Sequence, residues 1–368
     1  KGFSQMSDQR VYNFSAGPSM LPLSALERAG SEITNYRGSG MSVMEMSHRG
    51  SLFQEIHAGA KEKLRSLLSV PSSHDILFMQ GGATGQFSAV PLNLMGEGPA
   101  VYAVTGNFSG IAAREAAKYG KVLRAFDGGA ESYRRIPRQS ELKLERGAAY
   151  FHYCANNTIY GTAWDYVPEA GVPLVCDMSS EILSHPVEVG RYRLIYAGAQ
   201  KNMAPAGLTV AIIERAALGH ERPDTPQVLN YRLMSAKDSM LNTPPCWCIY
   251  MLGLVLDWVD EQGGLEGMAG PALLHAVRHP GQLPPLPVPR REGLPFRHER
   301  DLPHRLGRAG RGVLPRGGAP GPAERPRPQA DWRDARLALQ RNAPGGRSGD
   351  SAVYEGFRGV APCLKYAR

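Results

Sequence analysis

Two short apolar runs, each ending in polar residues, most constrain the fold that this chain can adopt. Residues 174–176 (Leu-Val-Cys) lead into Asp177, and residues 194–199 (Leu-Ile-Tyr-Ala-Gly-Ala) lead into Gln200 and Lys201. Short apolar runs bounded by small and polar residues are typical of buried strands in a mostly parallel sheet. Ligands in open α/β sheets bind beyond the carboxyl ends of such strands. The pattern therefore predicts an α/β fold with an acid and a lysine at the place where a ligand binds.

The surroundings of Lys201 favour a chemical role for its amine. Small residues precede it from Ala197 onward and follow again after Asn202, so a backbone or a flat ring can come close. An amine with little solvent around it is a better nucleophile and can form a Schiff base with an aldehyde. Asp177 suits the complementary role, because pyridoxal phosphate needs an acid near its ring nitrogen. The ordinary alternatives are a surface lysine and a helix-capping aspartate, and each is the better interpretation of its residue taken alone.

A glycine-rich segment supplies the third part of this predicted site. Residues 75–80 form a short apolar strand that runs into Gly-Gly-Ala-Thr-Gly-Gln-Phe at residues 81–87, and we predict a helix over residues 87–94. A helix N-terminus after a glycine turn binds anions, because its first N–H groups are unpaired and its dipole favours phosphate. The segment lacks the Gly-Lys-Ser/Thr of a Walker A loop and the spacing of a dinucleotide-binding fingerprint. The sequence therefore predicts a phosphate site of neither nucleotide-binding class.

The remaining apolar periodicity predicts helices and strands in alternation. Helical spacing covers residues 23–36, 51–68, 111–119 and 247–259, and buried-strand patterns cover residues 100–105, 122–126 and 148–153. Alternating strands and helices indicate an α/β sheet with helices on its faces.

Composition narrows the class of protein further. The 368 residues are enough for a large catalytic domain and a smaller second one. No apolar run approaches the ~20 residues that cross a bilayer, and residues 1–10 are predicted to be a flexible lead-in without the apolar core of a signal peptide. Five cysteines without metal-type spacing favour a reducing cytoplasm and no metal site. The net charge of +8 would favour a nucleic-acid partner, but much of the excess comes from arginines in the last third of the chain.

Six segments, in order along the chain, resemble one enzyme family. They are NFSAGPSMLP at residues 13–22, MSHRG at 46–50, GGATGQF at 81–87, DMSS at 177–180, AGAQKNMAPAGLT at 197–209 and LNTPP at 241–245. Together they resemble the phosphoserine aminotransferase family, which belongs to the class V, fold type I enzymes that use pyridoxal 5′-phosphate. The resemblance covers roughly residues 10–268.

The resemblance implies a fold type I architecture. Residues 11–268 would form the cofactor-binding large domain, with a mostly parallel seven-stranded sheet flanked by helices, and a small C-terminal α/β domain would follow at residues 269–368. The family forms homodimers with a composite active site, so the same organisation is expected here.

The resemblance also assigns roles to individual residues. Lys201 and Asp177 would be the catalytic residues, with Lys201 holding the cofactor and then moving a proton while Asp177 pairs with the ring nitrogen. The other expected cofactor contacts are Ala83, Thr84, Phe108, Thr158 and Gln200, together with Asn242 and Thr243, which would reach the cofactor phosphate of the other subunit. His48 and Arg49 would bind a substrate that carries phosphate and carboxylate groups.

Several of these assignments have a plainer alternative. Phe108 stands where the family often has tryptophan, and it could also be a core residue. Thr158 could cap a turn. His48 and Arg49 could belong to a polar loop, and residues 242–245 could form a helix-entry turn.

The activity implied by the resemblance is amino transfer between glutamate and 3-phosphohydroxypyruvate, which gives phosphoserine and 2-oxoglutarate in serine biosynthesis. The family in some organisms also acts in pyridoxine biosynthesis. Two alternatives stay open: another class V enzyme, such as a serine–glyoxylate-type transaminase, and an inactive scaffold with a basic tail that binds nucleic acid. A desulfurase would need a reactive cysteine on a mobile loop, and none is evident.

The character of the chain changes after Met268. Proline, arginine and glycine crowd residues 270–350, and no lysine occurs between Lys237 and Lys365. Such a composition buries too little apolar surface to offset backbone ordering. We predict that residues 269–368 are either the product of a shifted reading frame in a GC-rich gene, which we favour, or a disordered basic tail. No arginine there has a family-like setting, so none is assigned to the substrate carboxylate.

Overall fold

The computed structural model describes residue 10, residue 13 and residues 15–269. Residues 1–9 of the predicted lead-in and residues 270–368 of the predicted C-terminal domain lie outside the described residues. Within the described ranges no helix is both long enough and apolar enough to cross a membrane.

A seven-stranded mixed sheet forms the centre of the described fold. In chain order the strands are β1 (His74–Met79), β2 (Ala100–Val104), β3 (Val122–Asp127), β4 (Tyr150–Cys154), β5 (Asn156–Asn157), β6 (Thr162–Ala163), β7 (Leu174–Asp177), β8 (Leu194–Gly198) and β9 (Thr209–Glu214). The short strands β5 and β6 pair with each other, and the other seven are ordered β1-β9-β8-β7-β4-β2-β3. Strand β9 is antiparallel to both of its neighbours, and all other pairs in this sheet are parallel. The predicted mostly parallel seven-stranded sheet is thus confirmed.

Helices cover both faces of the sheet. They are α1 (Leu23–Glu32), α2 (Ser51–Leu67), α3 (Gly82–Leu94), α4 (Asn107–Ala116), α5 (Tyr231–Ala236), α6 (Cys246–Glu261) and α7 (Gly264–Met268). Single 3-10 turns occur at Tyr36–Gly38, Val43–Glu45, Gly128–Glu131, Gln139–Glu141, Val189–Arg191, Arg215–Ala217 and Gln227–Leu229. Helices α1, α2 and α6 pack over one face, and α3, α4 and α5 pack over the other.

Both faces of the strands are buried, which explains why the sequence of each strand is a continuous run of apolar residues. In β1, Phe78 belongs to the core under α2 and α6, whereas Leu77 and Met79 belong to the core under α3 and α4. The same alternation continues in β8, where Ile195 faces the first core and Tyr196 the second.

The amphipathic helix predicted at residues 51–68 is confirmed as α2. Its stripe of Phe53, Ile56, Ala60 and Leu64 is buried, as the 3.6-residue period requires. The helix predicted at residues 23–36 corresponds to α1, which ends earlier, at Glu32.

The helix predicted at residues 87–94 begins earlier than expected. Helix α3 starts at Gly82, so most of the glycine-rich segment is helical and does not form a loop before the helix. Gly81 (φ +92°) and Gly82 (φ +63°) adopt left-handed backbone conformations that favour glycine. The chain therefore turns from β1 into α3 within these two residues, and the predicted phosphate segment is itself the helix N-terminus.

His57, on α2, gives the fold a dependence on pH. Its side chain is 1% exposed and its ring meets Phe78 edge-on, with 5.2 Å between the ring centroids. Burial lowers the pKa of His57 from 6.5 to about 4, although Asp238 opposes that shift. Between these two values the unfolded chain binds more protons than the folded one, so stability falls as the pH falls from 6.5 to about 4.

The free energy of unfolding should fall as the pH falls over that range. We expect the protonation of His57 to account for at most about 3 kcal/mol of this loss. The variant His57→Leu should therefore lose less stability than the wild type between about pH 7 and about pH 4.5, measured by urea denaturation. The matched control is His220→Leu, because His220 is exposed. Equal losses in the two variants would contradict the assignment.

Candidate active site

A cavity of about 290 Å³ lies at the carboxyl ends of β4, β7 and β8, beside the N-termini of α3 and α4. Its wall contains every predicted cofactor residue except Asn242 and Thr243. Those lining residues are Ala83, Thr84, Phe108, Thr158, Asp177, Gln200 and Lys201. The fold thus brings together residues that are far apart in the sequence.

Lys201 lies in the connection between β8 and β9. Its Nζ donates a hydrogen bond to Ser180 Oγ at 2.9 Å and lies 5.4 Å from the centroid of the Phe108 ring. The backbone before it is fixed, because Ala199 N donates to Leu208 O at 3.0 Å. The amine is therefore held inside the cavity.

Asp177, the last residue of β7, is buried and held by Ser179. Its Oδ1 accepts hydrogen bonds from Ser179 N at 2.9 Å and Ser179 Oγ at 2.6 Å. The Ser179 hydroxyl also accepts from Gly198 N at 3.0 Å, which ties the end of β7 to the end of β8. Burial raises the pKa of Asp177, and the hydrogen bonds from Ser179 and the charge of Lys201 oppose that rise.

The N-terminus of α3 forms the opposite end of the cavity. Gly82, Ala83 and Thr84 line it, and the first N–H groups of a helix have no partner within the helix. Gly82 has no side chain to fill the space in front of these donors. This end of the cavity is suited to an anion such as phosphate.

One wall of the cavity is aromatic, and the facing loop is tied down. Phe108, at the start of α4, is 41% exposed, which suits a ring that packs against a ligand better than a core residue. The loop that carries Thr158 is held by Asn157, whose side-chain amide donates to Thr105 Oγ1 at 3.3 Å and Thr162 Oγ1 at 3.0 Å.

The N-terminal segment is a part of the site to which the sequence assigned no role. Ala16 and Gly17 line the cavity, Ser19 N donates to Gln200 O at 3.0 Å, and Ser19 Oγ donates to Lys201 O. Gly17 has φ +145°, and a Cβ there would lie 2.9 Å from Lys201 Cγ. Only the glycine itself, within the motif at residues 13–22, signalled this close approach.

We therefore expect Gly17→Ala to displace the Lys201 side chain and to weaken binding of a ligand in the cavity. The expected loss of affinity for pyridoxal phosphate is roughly tenfold, measured by titration of the cofactor-free chain. The matched control is Gly59→Ala in α2, where a Cβ meets nothing within 4 Å and the fold should be stabilised by about 0.5–1 kcal/mol. Unchanged affinity in Gly17→Ala would contradict the close contact.

The other predicted residues lie outside the cavity. Arg49 is exposed and His48 is half-buried, with its carbonyl accepting from Gln54 Nε2 at 2.9 Å. Gln54 Nε2 also lies 3.2 Å from Sδ of Met240. In the sequence, Met240 closely precedes Asn242 and Thr243, which are both exposed. The segment predicted to bind the substrate and the segment predicted to reach the other subunit are thus neighbours on this subunit.

Pyridoxal phosphate fits the groups that line this cavity. Unpaired N–H groups at the start of α3 suit its phosphate, and the buried carboxylate of Asp177 suits its ring nitrogen. Phe108 offers a flat surface to the ring, and Lys201 offers a primary amine to the aldehyde.

Comparison with known proteins agrees with this chemistry. Residues 11–277 match the sequence profile of the family Aminotransferase class-V. The phosphoserine aminotransferase of Laribacter hongkongensis is 51% identical over 259 residues, which are 70% of this chain and 72% of that protein.

Solved structures give the same result. The phosphoserine aminotransferase from Bacillus circulans subsp. alkalophilus superposes with a TM-score of 0.69 at 42% identity, covering 71% of this chain and 73% of that chain. The enzyme from Trichomonas vaginalis, solved with pyridoxal phosphate bound, superposes with a TM-score of 0.68 at 42% identity, covering 71% of this chain and 78% of that chain. The chain therefore belongs to the class-V aminotransferases of fold type I and, among them, to the phosphoserine aminotransferase family.

Proposed function

We propose that this chain, with pyridoxal 5′-phosphate bound, transfers an amino group between glutamate and 3-phosphohydroxypyruvate to give phosphoserine and 2-oxoglutarate. The observation that carries the proposal is the convergence of Lys201, Asp177 and the N-terminus of α3 on one cavity. A phosphoserine aminotransferase that is 51% identical over 70% of this chain supports it. The reaction belongs to serine biosynthesis. A cytoplasmic location is proposed with it, which suits the free cysteines at residues 154, 176, 246 and 248.

Bound pyridoxal phosphate supplies an aldehyde that condenses with amines and an electron-poor ring that stabilises negative charge on the adjoining carbon. Lys201 Nζ would hold the cofactor and, once released, would take the proton from the substrate α-carbon and deliver it to the carbon of the cofactor's former aldehyde, so that the amino group stays on the cofactor. The carboxylate of Asp177 keeps the proton on the ring nitrogen. The first N–H groups of α3 bind the phosphate, and Phe108 packs on the ring.

Substrate binding is proposed to involve a second subunit. His48 and Arg49 carry the donors that a phosphorylated, carboxylate-bearing substrate needs, yet neither lines the cavity of its own chain. Gln54 contacts both the carbonyl of His48 and the sulfur of Met240. His48 and Arg49 therefore lie beside the segment that carries Asn242 and Thr243. We propose that this shared surface completes the site of the other subunit in a homodimer.

The test is the absorbance of the purified full-length chain with pyridoxal phosphate, recorded before and after phosphoserine is added. We expect bound cofactor to absorb at longer wavelength than free cofactor and this absorbance to fall with phosphoserine but not with serine. A chain that binds cofactor and ignores phosphoserine would contradict the substrate assignment. The same measurement with phosphohydroxythreonine in place of phosphoserine tests whether this chain also has the role in pyridoxine biosynthesis that the family has in some organisms.

Mixing two inactive variants tests the composite site. Lys201→Ala and Arg49→Ala should each be inactive alone, but exchange of their subunits should restore about a quarter of the wild-type activity. Half of the dimers would be mixed, and each would hold one site with an intact lysine and an intact arginine. If Arg49 serves its own chain, no mixed dimer has an intact site and no activity returns.

A further inference from the structure

Lys201 shares its cavity with a serine to which the proposed function gives no role. Ser180 lines that cavity, and its Oγ accepts a hydrogen bond from Lys201 Nζ at 2.9 Å. Among the described residues, this is the one hydrogen bond that the Lys201 amine makes. Ser180 therefore contacts the atom that would attach the cofactor and move the proton.

The serine that precedes Ser180 has different partners. The Ser179 hydroxyl donates to Asp177 Oδ1 at 2.6 Å and accepts from Gly198 N at 3.0 Å. The Ser180 hydroxyl makes neither of these contacts, and its hydrogen-bond partner in the described part of the chain is Lys201. Two adjacent serines in one turn thus serve two different groups, because Ser179 supports the acid and Ser180 contacts the amine.

The turn that carries Ser180 is tied to the end of β8 and to the loop that follows it. On one side of Ser180, the Ser179 hydroxyl accepts from Gly198 N. On the other side, the carbonyl oxygen of Ile182 accepts from Asn202 Nδ2 at 2.6 Å. These contacts hold the Ser180 hydroxyl beside the amine without involving the amine itself, which is how a supporting group fixes the geometry of a site.

A hydroxyl oxygen beside this amine favours both of the steps proposed for Lys201. Attachment forms a bond between Nζ and the aldehyde carbon and releases the aldehyde oxygen as water, and the nitrogen gains positive charge as it adds. The nitrogen also gains positive charge when it takes a proton from the substrate α-carbon. A hydrogen bond from a charged N–H is roughly twice as strong as one from a neutral N–H. The bond to Ser180 therefore strengthens as each step proceeds, and an interaction that is stronger in the transition state than before it raises the rate.

We infer that Ser180 is a positioning residue for the Lys201 amine. Its oxygen orients the free amine and stabilises the charge that forms on the nitrogen, while the serine keeps its own proton throughout. The proton taken from the α-carbon stays on Nζ until Nζ delivers it. The inference rests on the proposed function for the identity of the cofactor, and it adds a residue whose effect falls on the rate of the steps at Nζ.

The first test follows the attachment of pyridoxal phosphate to the cofactor-free full chain by stopped-flow absorbance. Binding should be followed by a first-order rise at longer wavelength as Lys201 attaches, and rates are compared on the alkaline plateau, where the amine is neutral. We expect this first-order step to be about tenfold slower in Ser180→Ala, with a melting curve close to that of the wild type. The matched control is Ser184→Ala, which should keep the wild-type rate. Ser184 does not line the cavity, and its Oγ donates to Glu181 O at 2.5 Å.

A conservative variant and a second measurement separate the hydroxyl from the shape of the side chain. Ser180→Thr keeps a hydroxyl and should restore most of the attachment rate. In turnover, we expect kcat for phosphoserine to fall about tenfold in Ser180→Ala while KM changes by less than about twofold, because Ser180 contacts the amine. Deuterium on the substrate α-carbon should slow Ser180→Ala more than it slows the wild type, because proton transfer then limits the rate.

The outcomes separate this inference from the proposed function. A wild-type chain that binds no pyridoxal phosphate would overturn the proposed function and the inference with it. A wild-type chain that attaches the cofactor, with equal attachment rates in Ser180→Ala and Ser184→Ala, would overturn the inference alone. Equally slow attachment in Ser180→Thr and Ser180→Ala would also overturn it, because the hydroxyl would then not be the group that matters. Slower attachment in Ser180→Ala, in a chain that ignores phosphoserine, would support the inference and contradict the substrate assignment.

Discussion

Lys201→Ala is expected to abolish transamination and to stop the chain from holding pyridoxal phosphate covalently. The Lys201 amine lies in the cavity, 2.9 Å from Ser180 Oγ, and it is the primary amine that lines this cavity in the described part of the chain. It both attaches the cofactor and moves the proton at the substrate α-carbon. Removing both roles should lower the rate by on the order of 10⁴-fold.

Two controls make the Lys201 experiment specific. Lys201→Arg keeps the positive charge but cannot attach an aldehyde in the same way, and it should be as inactive as the alanine variant. Lys143→Ala removes an exposed lysine and should behave as wild type. The readouts are the steady-state rate and the cofactor fixed to the chain by borohydride. A normal rate of transamination in Lys201→Ala would contradict the proposed mechanism.

Asp177→Asn is expected to slow the reaction while leaving the cofactor attached. Asparagine keeps the shape of the side chain and an oxygen for the Ser179 donors, but it lacks the negative charge that keeps the ring nitrogen protonated. A preorganised charge of this kind is worth on the order of a hundredfold to a thousandfold in rate. Because Lys201 is untouched, the cofactor should still be fixed to the chain by borohydride in near-normal amount.

The Asp177 result is measured as kcat for phosphoserine together with the cofactor absorbance. Asp224→Asn is the control, since Asp224 is exposed and pairs with Arg222 at the surface. A rate loss equal in the two variants, or none in Asp177→Asn, would show that the carboxylate does not support the ring nitrogen.

The elements around the site were largely predictable from the sequence, because strand ends follow simple rules. Apolar runs ending at Asp177 and Lys201 placed both residues at the carboxyl edge of the sheet, where the structure has them. The start of α3 was predicted too late, because glycines in the segment suggested a loop. Only Gly81 and Gly82 have the left-handed backbone that glycine permits, and the following residues are helical.

The supporting contacts could not be predicted, because they join residues that are distant in the sequence. Ser179 stood inside a recognised motif, but its bond to Gly198 N depends on the pairing of β7 with β8. Gly17 lies against the side chain of Lys201, although more than half of the described chain separates the two residues in the sequence. The hydrogen bond between His152 Nε2 and the Tyr196 hydroxyl forms because β7 alone separates β4 from β8, and no local pattern encodes that strand order.

The hairpin between β8 and β9 sets where the chain can change in length. Gly198 pairs with Thr209, and Ala199 N donates to Leu208 O, so both ends of the loop that carries Lys201 are fixed. A residue inserted after Pro205 would only enlarge that loop. A residue inserted within β8 would turn every later side chain of the strand to the opposite face of the sheet and carry the lysine away from the cavity. An insertion should therefore be tolerated after Pro205, within the loop, and not within β8 or β9, whose pairing fixes the two ends of the loop.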